Sequence, residues 1–313
     1  KRASERKRKM IEIRNVTKCY DNLRAVDDLS CDILPGGVFG LVGVNGSGKS
    51  TLLRLISGVY HADEGSIKLF GEEVYDNPEA KKHIVYVPDN TQLVMSGSNM
   101  LEMAKFYAAC YEKFSFEKFE KLTRVFNLNP KARIRSFSKG MMKQAQTVLA
   151  LSCNTDIIMF DETYDGLDPL AKQIAAKLIY AEVCDRSACV IMTSHSLREL
   201  GDACDTLALM YKGKLILQSD IGSLKTTLFK IQVAFADDTG REAFENIEGA
   251  ELLSYTLNGR VATVIMKGDK AHAEARIRKF NPLIFEMLPI TLEEVFAYQM
   301  DALGYDFSLI MPE

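Results

Sequence analysis

The sequence predicts an α/β fold in which a phosphate-binding loop joins a buried strand to a helix, followed by a small α+β domain. The first observation is residues 43–51, Gly-Val-Asn-Gly-Ser-Gly-Lys-Ser-Thr, which follow an apolar run and precede a helical one. The second is residues 157–162, an apolar strand that ends in two carboxylates, as expected at the carboxyl edge of a parallel sheet. The third is a strand, helix, strand, strand, helix, strand order after residue 228.

Length and composition restrict the function classes. The chain has 313 residues, enough for one large or two moderate domains. Its formal net charge of -3 gives no overall electrostatic footprint for nucleic acid, so no nucleic-acid partner is expected. Seven scattered cysteines without a CxxC pair favour reduced thiols over a disulfide framework or a zinc site. No apolar run approaches the ~18 residues of a membrane span, so we expect any membrane path to lie in another chain.

Residues 1–9 form a basic tail that precedes the first predicted strand. A solvated tail is the simpler interpretation of such a run. Contact with anionic lipid headgroups is the alternative, because clustered Lys and Arg are attracted to the inner leaflet. From Met10 onward, alternating apolar residues predict half-buried strands, and residues 35–37 (Pro-Gly-Gly) turn the chain into the strand before the phosphate loop.

Residues 43–51 have the form of a P-loop. Small glycines let successive backbone N–H groups turn toward phosphate oxygens, and the following helix adds its positive N-terminus. Lys49 places a compact cation by the β- and γ-phosphates, and Ser50 can supply a hydroxyl to Mg²⁺. The sequence therefore predicts nucleotide binding.

Further polar residues lie at the ends of predicted strands or at the start of a predicted helix, where a nucleotide-binding protein with a P-loop can use them. Asp161 is expected to hold Mg²⁺ through water, and Glu162 to polarise the attacking water. Residues 191–195 read as a strand that ends in His195, and Ser138 is placed to cap a helix. Each feature alone is more often structural. Their order and spacing around the P-loop favour a nucleotide-hydrolysing site.

With these residues the chain resembles the ATP-binding subunits of ABC transporters over about residues 10–220. Residues 43–51 match that family's Walker A loop, and Asp161 and Glu162 its Walker B pair. Asp168 matches the D-loop and His195 the switch histidine. The resemblance implies ATP and Mg²⁺ as cofactors and Glu162 and His195 as catalytic residues. It assigns nucleotide contacts to Tyr20, which would stack on adenine, and to Gly43, Asn45, Gly46, Ser47, Gly48, Lys49, Ser50, Thr51, Ser138, Gly140 and Asp168.

Two segments depart from the family's pattern. The signature loop, usually Leu-Ser-Gly-Gly-Gln, reads Phe-Ser-Lys-Gly-Met at residues 137–141, so the Ser138 hydroxyl and the close-approach Gly140 remain. The Q-loop, usually Val-Pro-Gln, has Asp89 in place of the glutamine. Because Mg²⁺ accepts carboxylate oxygens, the expected metal ligands are Ser50, Asp161 and Asp89. Participation of Gln92 instead of Asp89 stays open.

The resemblance also implies a domain organisation. We expect an ABC ATPase domain over residues 10–220, with a helical subdomain at about residues 90–154. In the family the junction of this subdomain with the Q-loop receives a helix of the membrane subunit, which makes Leu93, Val94 and Met95 candidate docking residues. Residues 221–313 would form a ferredoxin-like accessory domain, because their strand and helix order includes an Asn-Gly hairpin signal.

The resemblance implies a subunit that hydrolyses ATP to drive a membrane transporter through ATP-driven dimerisation. Its implied partners are an integral membrane transporter subunit and a second ATP-binding subunit, at the cytoplasmic face of the cell membrane. Similarity around Asp89, in residues 138–141 and in residues 291–296 favours exporters over importers. The alternative is a soluble regulatory ABC ATPase without a transport role. The segment between Lys49 and Asp161 is too short for the coiled coil of an ABC ATPase that acts on DNA ends.

Overall fold

The computed structural model describes residues 10–89, 99–223, 228–236 and 240–305. The chain divides into two compact units, Lys1–Gln218 and Ser219–Glu313, and both mix helices with strands. The basic run at residues 1–9, the candidate docking residues 93–95 and Gln92 lie outside the described residues. None of the described helices has both the length and the apolar composition that crossing a bilayer requires.

The first unit contains two sheets and several helices. Its strands are β1 (Ile11–Tyr20), β2 (Leu23–Ile33), β3 (Gly37–Val42), β4 (Glu64–Leu69), β5 (Glu72–Glu73), β6 (Ile84–Val87), β7 (Ile157–Phe160), β8 (Cys189–Ser194), β9 (Thr206–Tyr211) and β10 (Lys214–Asp220). Its helices are α1 (Lys49–Ile56), α2 (Pro78–Lys81), α3 (Met100–Cys110), α4 (Phe116–Val125), a 3₁₀ turn (Ile134–Ser136), α5 (Lys139–Ser152), α6 (Pro169–Arg186) and α7 (Leu197–Gly201).

The smaller sheet has the strand order β2-β1-β4-β5, and β1 pairs antiparallel with β2 and β4. Along β1, Ile11, Ile13 and Val16 are fully buried, which agrees with the predicted alternation at the start of the strand. Register shifts interrupt β1 after Ile13 and again after Val16, so a strict alternation does not continue along the strand.

The larger sheet has the order β10-β9-β3-β8-β7-β6. Strand β3 pairs parallel with β8 and β9, and β7 pairs parallel with β6 and β8. Strands β7 and β8 are buried along their whole length, as expected for central strands covered on both faces. Because the four strands run in one direction, the segments that follow β3, β6, β7 and β8 meet at one edge. These segments carry the P-loop, Asp89, the Asp161–Glu162 pair and His195.

Helix α1 connects the two sheets through one hydrophobic core. Its residues Leu52, Leu53, Leu55 and Ile56 belong to the same buried cluster as residues of β1, β3, β7 and β8. Burial of this apolar face fixes the helix directly behind the phosphate loop, because burying each such side chain stabilises the fold by roughly 1.5–3 kcal/mol.

Helices α3, α4 and α5 form the helical segment that the sequence predicts. Each of these helices has a side chain at its N-cap that accepts a hydrogen bond from a backbone N–H. These capping residues are Asn99, Ser115 and Ser138. Helical spacing of the apolar and aromatic residues Met100, Met103, Phe106, Tyr107 and Cys110 predicts that they belong to the core, and the structure agrees only in part. Met100 and Met103 are buried, whereas Phe106 and Cys110 are exposed.

The second unit has the strand order β12-β13-β11-β14, with antiparallel pairs throughout. This is the strand order of a ferredoxin-like sheet. Strand residues Ile231, Val233, Val264 and Met266 form a hydrophobic core together with Ile277 of the helix Lys270–Arg278. Its elements are β11 (Leu228–Ala234), a 3₁₀ turn (Arg241–Phe244), β12 (Ala250–Asn258), β13 (Val261–Gly268), α8 (Lys270–Arg278), β14 (Ile284–Leu288) and α9 (Leu292–Ala302).

For the first helix in the strand and helix order of this unit, the sequence pattern predicts residues 240–247, and this prediction is wrong, because the segment forms only the short 3₁₀ turn. The Glu242 carboxylate accepts the Gly240 N–H at 3.1 Å and so satisfies a donor at the start of the turn that has no helical acceptor. Glu245 is extended and Asn246 has a φ of 56°, so the chain leaves helical geometry after one turn.

Candidate functional site

The P-loop connects β3 to α1, and its glycines are required by its own chain geometry. A Cβ on Gly43 would lie 2.4 Å from the Met210 carbonyl oxygen, and one on Gly48 would lie 2.2 Å from the Ala25 carbonyl oxygen. Gly46 has a φ of 79°, which other residues rarely adopt. The loop can therefore pack tightly against β2 and β9 while its outer side stays open.

Lys49 begins α1 and is 95% buried at the base of this loop. Its Nζ donates to the carbonyl oxygens of Gly43 at 2.6 Å and Val44 at 3.3 Å, and it lies 3.3 Å from Glu162 Oε1. The ammonium group is thus held at the loop, next to the acid that follows β7. A cation in this position attracts phosphate groups that enter the loop.

Asp161 directly follows β7 and is almost completely buried. Its carboxylate accepts hydrogen bonds from three hydroxyl groups. Ser50 Oγ donates to Oδ1 at 3.1 Å, Thr193 Oγ1 donates to Oδ1 at 2.8 Å, and Tyr86 OH donates to Oδ2 at 3.1 Å. Burial raises the pKa of Tyr86, which keeps its phenol protonated as a donor. The Asp161 carboxylate is therefore fixed in orientation by α1, β8 and β6.

The next residue, Glu162, has a φ of 48°, in the left-handed region. Its N–H donates to Thr193 Oγ1 at 2.9 Å, so one threonine positions both acids. The carboxylate lies between the His195 imidazole and the Lys49 ammonium group. Its Oε2 is 3.1 Å from His195 Nδ1, and its Oε1 is 3.3 Å from Lys49 Nζ. A carboxylate held in this way at the phosphate loop can act as a general base toward water.

Of these side chains, Lys49, Ser50 and Glu162 line one open cavity of about 290 Å³, whereas Asp161 and His195 are not among its lining residues. Tyr20 lies at its rim, where its ring packs edge-on against Tyr60 with 6.1 Å between the ring centres. An exposed aromatic at the rim has a face to offer to an adenine ring. The cavity is lined by Tyr20, Leu23, Ala25, Asn45, Gly46, Ser47, Gly48, Lys49, Ser50, Thr51, Asp89 and Glu162.

Ser50 and Asp161 together fit a magnesium site. Their side-chain oxygens are 3.1 Å apart, and hydroxyl and carboxylate oxygens are ligands that Mg²⁺ accepts. Among the described residues, no group of three or more His, Cys, Asp and Glu side chains could enclose a metal ion. Mg²⁺ commonly uses one or two protein ligands together with water and substrate phosphates.

Asp89 lines the same cavity, but its carboxylate contacts a lysine of the helical segment. Lys143 Nζ donates to Asp89 Oδ1 and to the Asp89 carbonyl oxygen, both at 3.0 Å. No local sequence pattern predicts this partner. Asp89 therefore reaches the predicted site with its charge already paired, and its role as a metal ligand stays a prediction.

Among the described residues that line this cavity, Ser138, Gly140 and Asp168 do not occur. Ser138 caps α5 and Asp168 caps α6, and both residues are exposed. The two helix starts are adjacent, since a Cβ on Gly140 would lie 2.9 Å from the Gly166 carbonyl oxygen. The signature segment and the D-loop segment thus form one surface that is separate from the nucleotide cavity of the same chain.

The end of β8 is held to the start of α6 by a charged network. Glu199 accepts a hydrogen bond from Ser194 Oγ at 2.8 Å and pairs with Lys172 Nζ at 2.6 Å. Because Lys172 lies one turn after Asp168, this network links the D-loop helix to the residue that precedes His195.

Three functional contacts were missed by sequence reasoning, namely those of Tyr86, Thr193 and Lys143. Tyr86 and Thr193 occur within apolar strands, where such residues are ordinary. A parallel sheet alternates its side chains, so polar residues near the ends of the two strands flanking β7 were the available signal. For Lys143, no local pattern indicates a contact 54 positions away.

We expect Tyr86→Phe to raise the Mg²⁺ concentration needed for half-maximal ATP turnover by about two- to tenfold, because one hydrogen bond that orients Asp161 is lost. ATP binding in the presence of a chelator should stay unchanged. Tyr111→Phe is the matched control, since Tyr111 is a largely buried tyrosine of the helical segment. An unchanged magnesium titration of Tyr86→Phe would show that Tyr86 does not position Asp161.

Comparisons with known proteins show the family of this chain. The family model described as ABC transporter matches residues 26–165. The ABC transporter ATP-binding protein YtrB of Bacillus subtilis (strain 168) is 30% identical over 287 residues, which cover 92% of this chain and 97% of YtrB. The methionine import ATP-binding protein MetN of Clostridium tetani is 28% identical over 228 residues, covering 69% of this chain and 70% of MetN.

A solved structure of similar fold is the dimeric ATP-binding cassette MJ0796 bound to ADP and Pi. It has a TM-score of 0.60 and 20% identity, and the match covers 68% of this chain and 99% of that one. The predicted fold class is confirmed. Proteins of this family bind and hydrolyse ATP, dimerise and act with membrane components of transporters. The chain belongs to the ATP-binding subunits of ABC transporters.

Proposed function

We propose that this chain powers an ABC transporter that exports its substrate, as one of two ATP-binding subunits at the cytoplasmic face of the membrane. The observation that carries the proposal is the convergence of Lys49, Ser50, Asp161 and Glu162 at the carboxyl edge of one parallel sheet. A cation, a hydroxyl and two acids at this edge support both nucleotide binding and hydrolysis.

The proposed reaction assigns one task to each group. Lys49 exchanges the carbonyl oxygens of Gly43 and Val44 for phosphate oxygens. Ser50 and Asp161 would hold Mg²⁺, which when bound neutralises phosphate charge. Glu162 accepts a proton from the attacking water, while His195 orients its carboxylate from 3.1 Å away.

Pairing with a second ATP-binding subunit is supported by the surface that carries Ser138, Gly140 and Asp168. These residues lie outside the described lining of their own cavity, so a second subunit is needed to bring them to bound nucleotide. When the two subunits are identical, this contact closes by twofold symmetry. The dimeric state of the MJ0796 cassette, which shares the fold, supports the same arrangement.

Export is supported by the residues around Asp89, by residues 138–141 and by residues 291–296, which resemble exporter subunits. MetN is named as an import protein, so similarity to relatives does not give the direction of transport. The proposal of export therefore rests on these three segments. Vesicles containing the assembled transporter, with ATP on the side of this subunit, would test it. Movement of substrate away from the ATP side supports export, and accumulation on the ATP side contradicts it.

We expect the chain to associate with an integral membrane subunit when both are expressed together, and to move into a detergent-extractable complex. The warrant is the assembled ATPase site in a chain whose described helices include no membrane span. The Glu162→Gln variant should associate equally well, because Glu162 lies inside the nucleotide site. If cross-linking and purification repeatedly recover only soluble partners, the regulatory ATPase becomes the better interpretation.

We also propose that residues 221–313 are accessory to catalysis. The second compact unit has its own hydrophobic core, and all the contacts described above at the nucleotide site come from residues of the first unit. Truncation after Ser219 should therefore leave ATP binding by the monomer largely intact, as measured by equilibrium titration. Circular dichroism must show a folded product, and loss of binding by such a folded product would contradict the accessory role.

A further inference from the structure

Lys143 is a fully buried lysine that the proposed reaction does not use. It lies on α5 and has no exposed side-chain surface, whereas its partner Asp89 has 54% of its side chain exposed. The hydrogen bonds described for its ammonium group both go to Asp89. A buried ammonium without an anionic partner destabilises the fold. Removal of Asp89 should therefore destabilise the fold more than removal of Lys143, which would leave a carboxylate that is half exposed to water.

The position of the pair gives it a role beyond packing. Asp89 follows β6 and lines the cavity that also contains Lys49, Ser50 and Glu162. A free carboxylate in the lining of this cavity would repel the phosphates of a nucleotide bound there, because like charges repel each other. Nearby Lys139 pairs with Asp165 at 2.6 Å, so its charge is already shared with another acid.

We propose that Lys143 is a positioning residue that neutralises Asp89 and holds its carboxylate back from the phosphates of ATP. The pair then occupies the place where the ABC family usually has an uncharged glutamine, and it approximates that glutamine in net charge. The inference rests on the proposed nucleotide site. It predicts that removing Lys143 alone leaves an uncompensated anion beside the triphosphate.

The test measures the dissociation constant of labelled ATP with a chelator and again with Mg²⁺. In Lys143→Met, affinity without Mg²⁺ should fall about three- to tenfold, and affinity with Mg²⁺ should fall less, because the metal neutralises part of the phosphate charge. The double variant Asp89→Asn/Lys143→Met should return the affinity without Mg²⁺ to the wild-type value.

Asp89→Asn alone should lower the thermal unfolding temperature, because the buried ammonium loses its anion, and adding Lys143→Met should restore it. Lys118→Met is the matched control, since Lys118 is a partly buried lysine whose partner Glu182 lies outside the described cavity lining. This control should lower the unfolding temperature without changing the ratio of the two ATP affinities.

Equal losses of affinity with and without Mg²⁺ in Lys143→Met, or no recovery in the double variant, would overturn the inference and leave Lys143 with a packing role. Wild-type protein that fails to bind ATP under both conditions would instead contradict the proposed nucleotide site. The two failures are therefore distinguishable in the same titrations.

Discussion

Replacement of Glu162 by Gln should lower the rate of ATP hydrolysis at least about a hundredfold while ATP binding persists. Gln keeps the shape of the side chain but cannot take a proton from water. In the structure the Glu162 carboxylate is oriented by His195 at 3.1 Å and Lys49 at 3.3 Å, and its backbone N–H is held by Thr193. These contacts tolerate an amide, so the loss should fall on the chemical step.

Steady-state phosphate release and equilibrium titration with labelled ATP would separate the two effects. Glu120→Gln makes the same chemical change on an exposed residue of α4, in an ion pair with Arg124, and should hydrolyse ATP at the wild-type rate. Turnover by Glu162→Gln comparable to that of the wild type would remove Glu162 from its assigned role.

The location of the nucleotide site could be predicted from the sequence because parallel strands share one carboxyl edge. The P-loop, Asp161 and His195 each follow an apolar run, and the observed order of β3, β8 and β7 brings these segments together. The hairpin of β12 and β13 was also predictable, since an Asn-Gly turn between alternating runs favours a hairpin. These predictions rest on local patterns that persist in the folded chain.

Other features depend on distant contacts and leave no local signal. Asp89 resembles a free metal-side carboxylate in the sequence, yet Lys143 from another element pairs with it. The apolar character of Phe106 suggests burial, but helical spacing does not specify how wide the buried face is, and the residue is 52% exposed. The short 3₁₀ turn in place of a helix at residues 240–247 ends where Glu245 is extended and Asn246 is left-handed, backbone conformations that the helical pattern of the sequence does not predict.

Nucleotide binding itself should depend most on Lys49. We expect Lys49→Ala to weaken ATP binding about ten- to hundredfold, because a hydrogen bond between charged groups contributes about 1.5–3 kcal/mol. In the structure this ammonium is held by the Gly43 and Val44 carbonyl oxygens and lies beside Glu162, so it is already at the loop before nucleotide arrives. The variant leaves the Glu162 carboxylate without its nearest cation, which adds repulsion of the phosphates to the lost attraction.

Titration with labelled ATP measures this loss, and Lys82→Ala is its matched control. Lys82 is a half-exposed lysine paired with Glu79 at 3.0 Å, just after α2 and before the amino end of β6, opposite the edge that binds nucleotide. The Lys82→Ala variant should bind ATP as tightly as the wild type, whereas the Lys49→Ala variant should not. Since α1 is anchored by Leu52, Leu53, Leu55 and Ile56, both variants should keep the wild-type circular dichroism spectrum. Unchanged ATP affinity in a folded Lys49→Ala protein would mean that the loop holds phosphate through its backbone N–H groups and helix terminus alone.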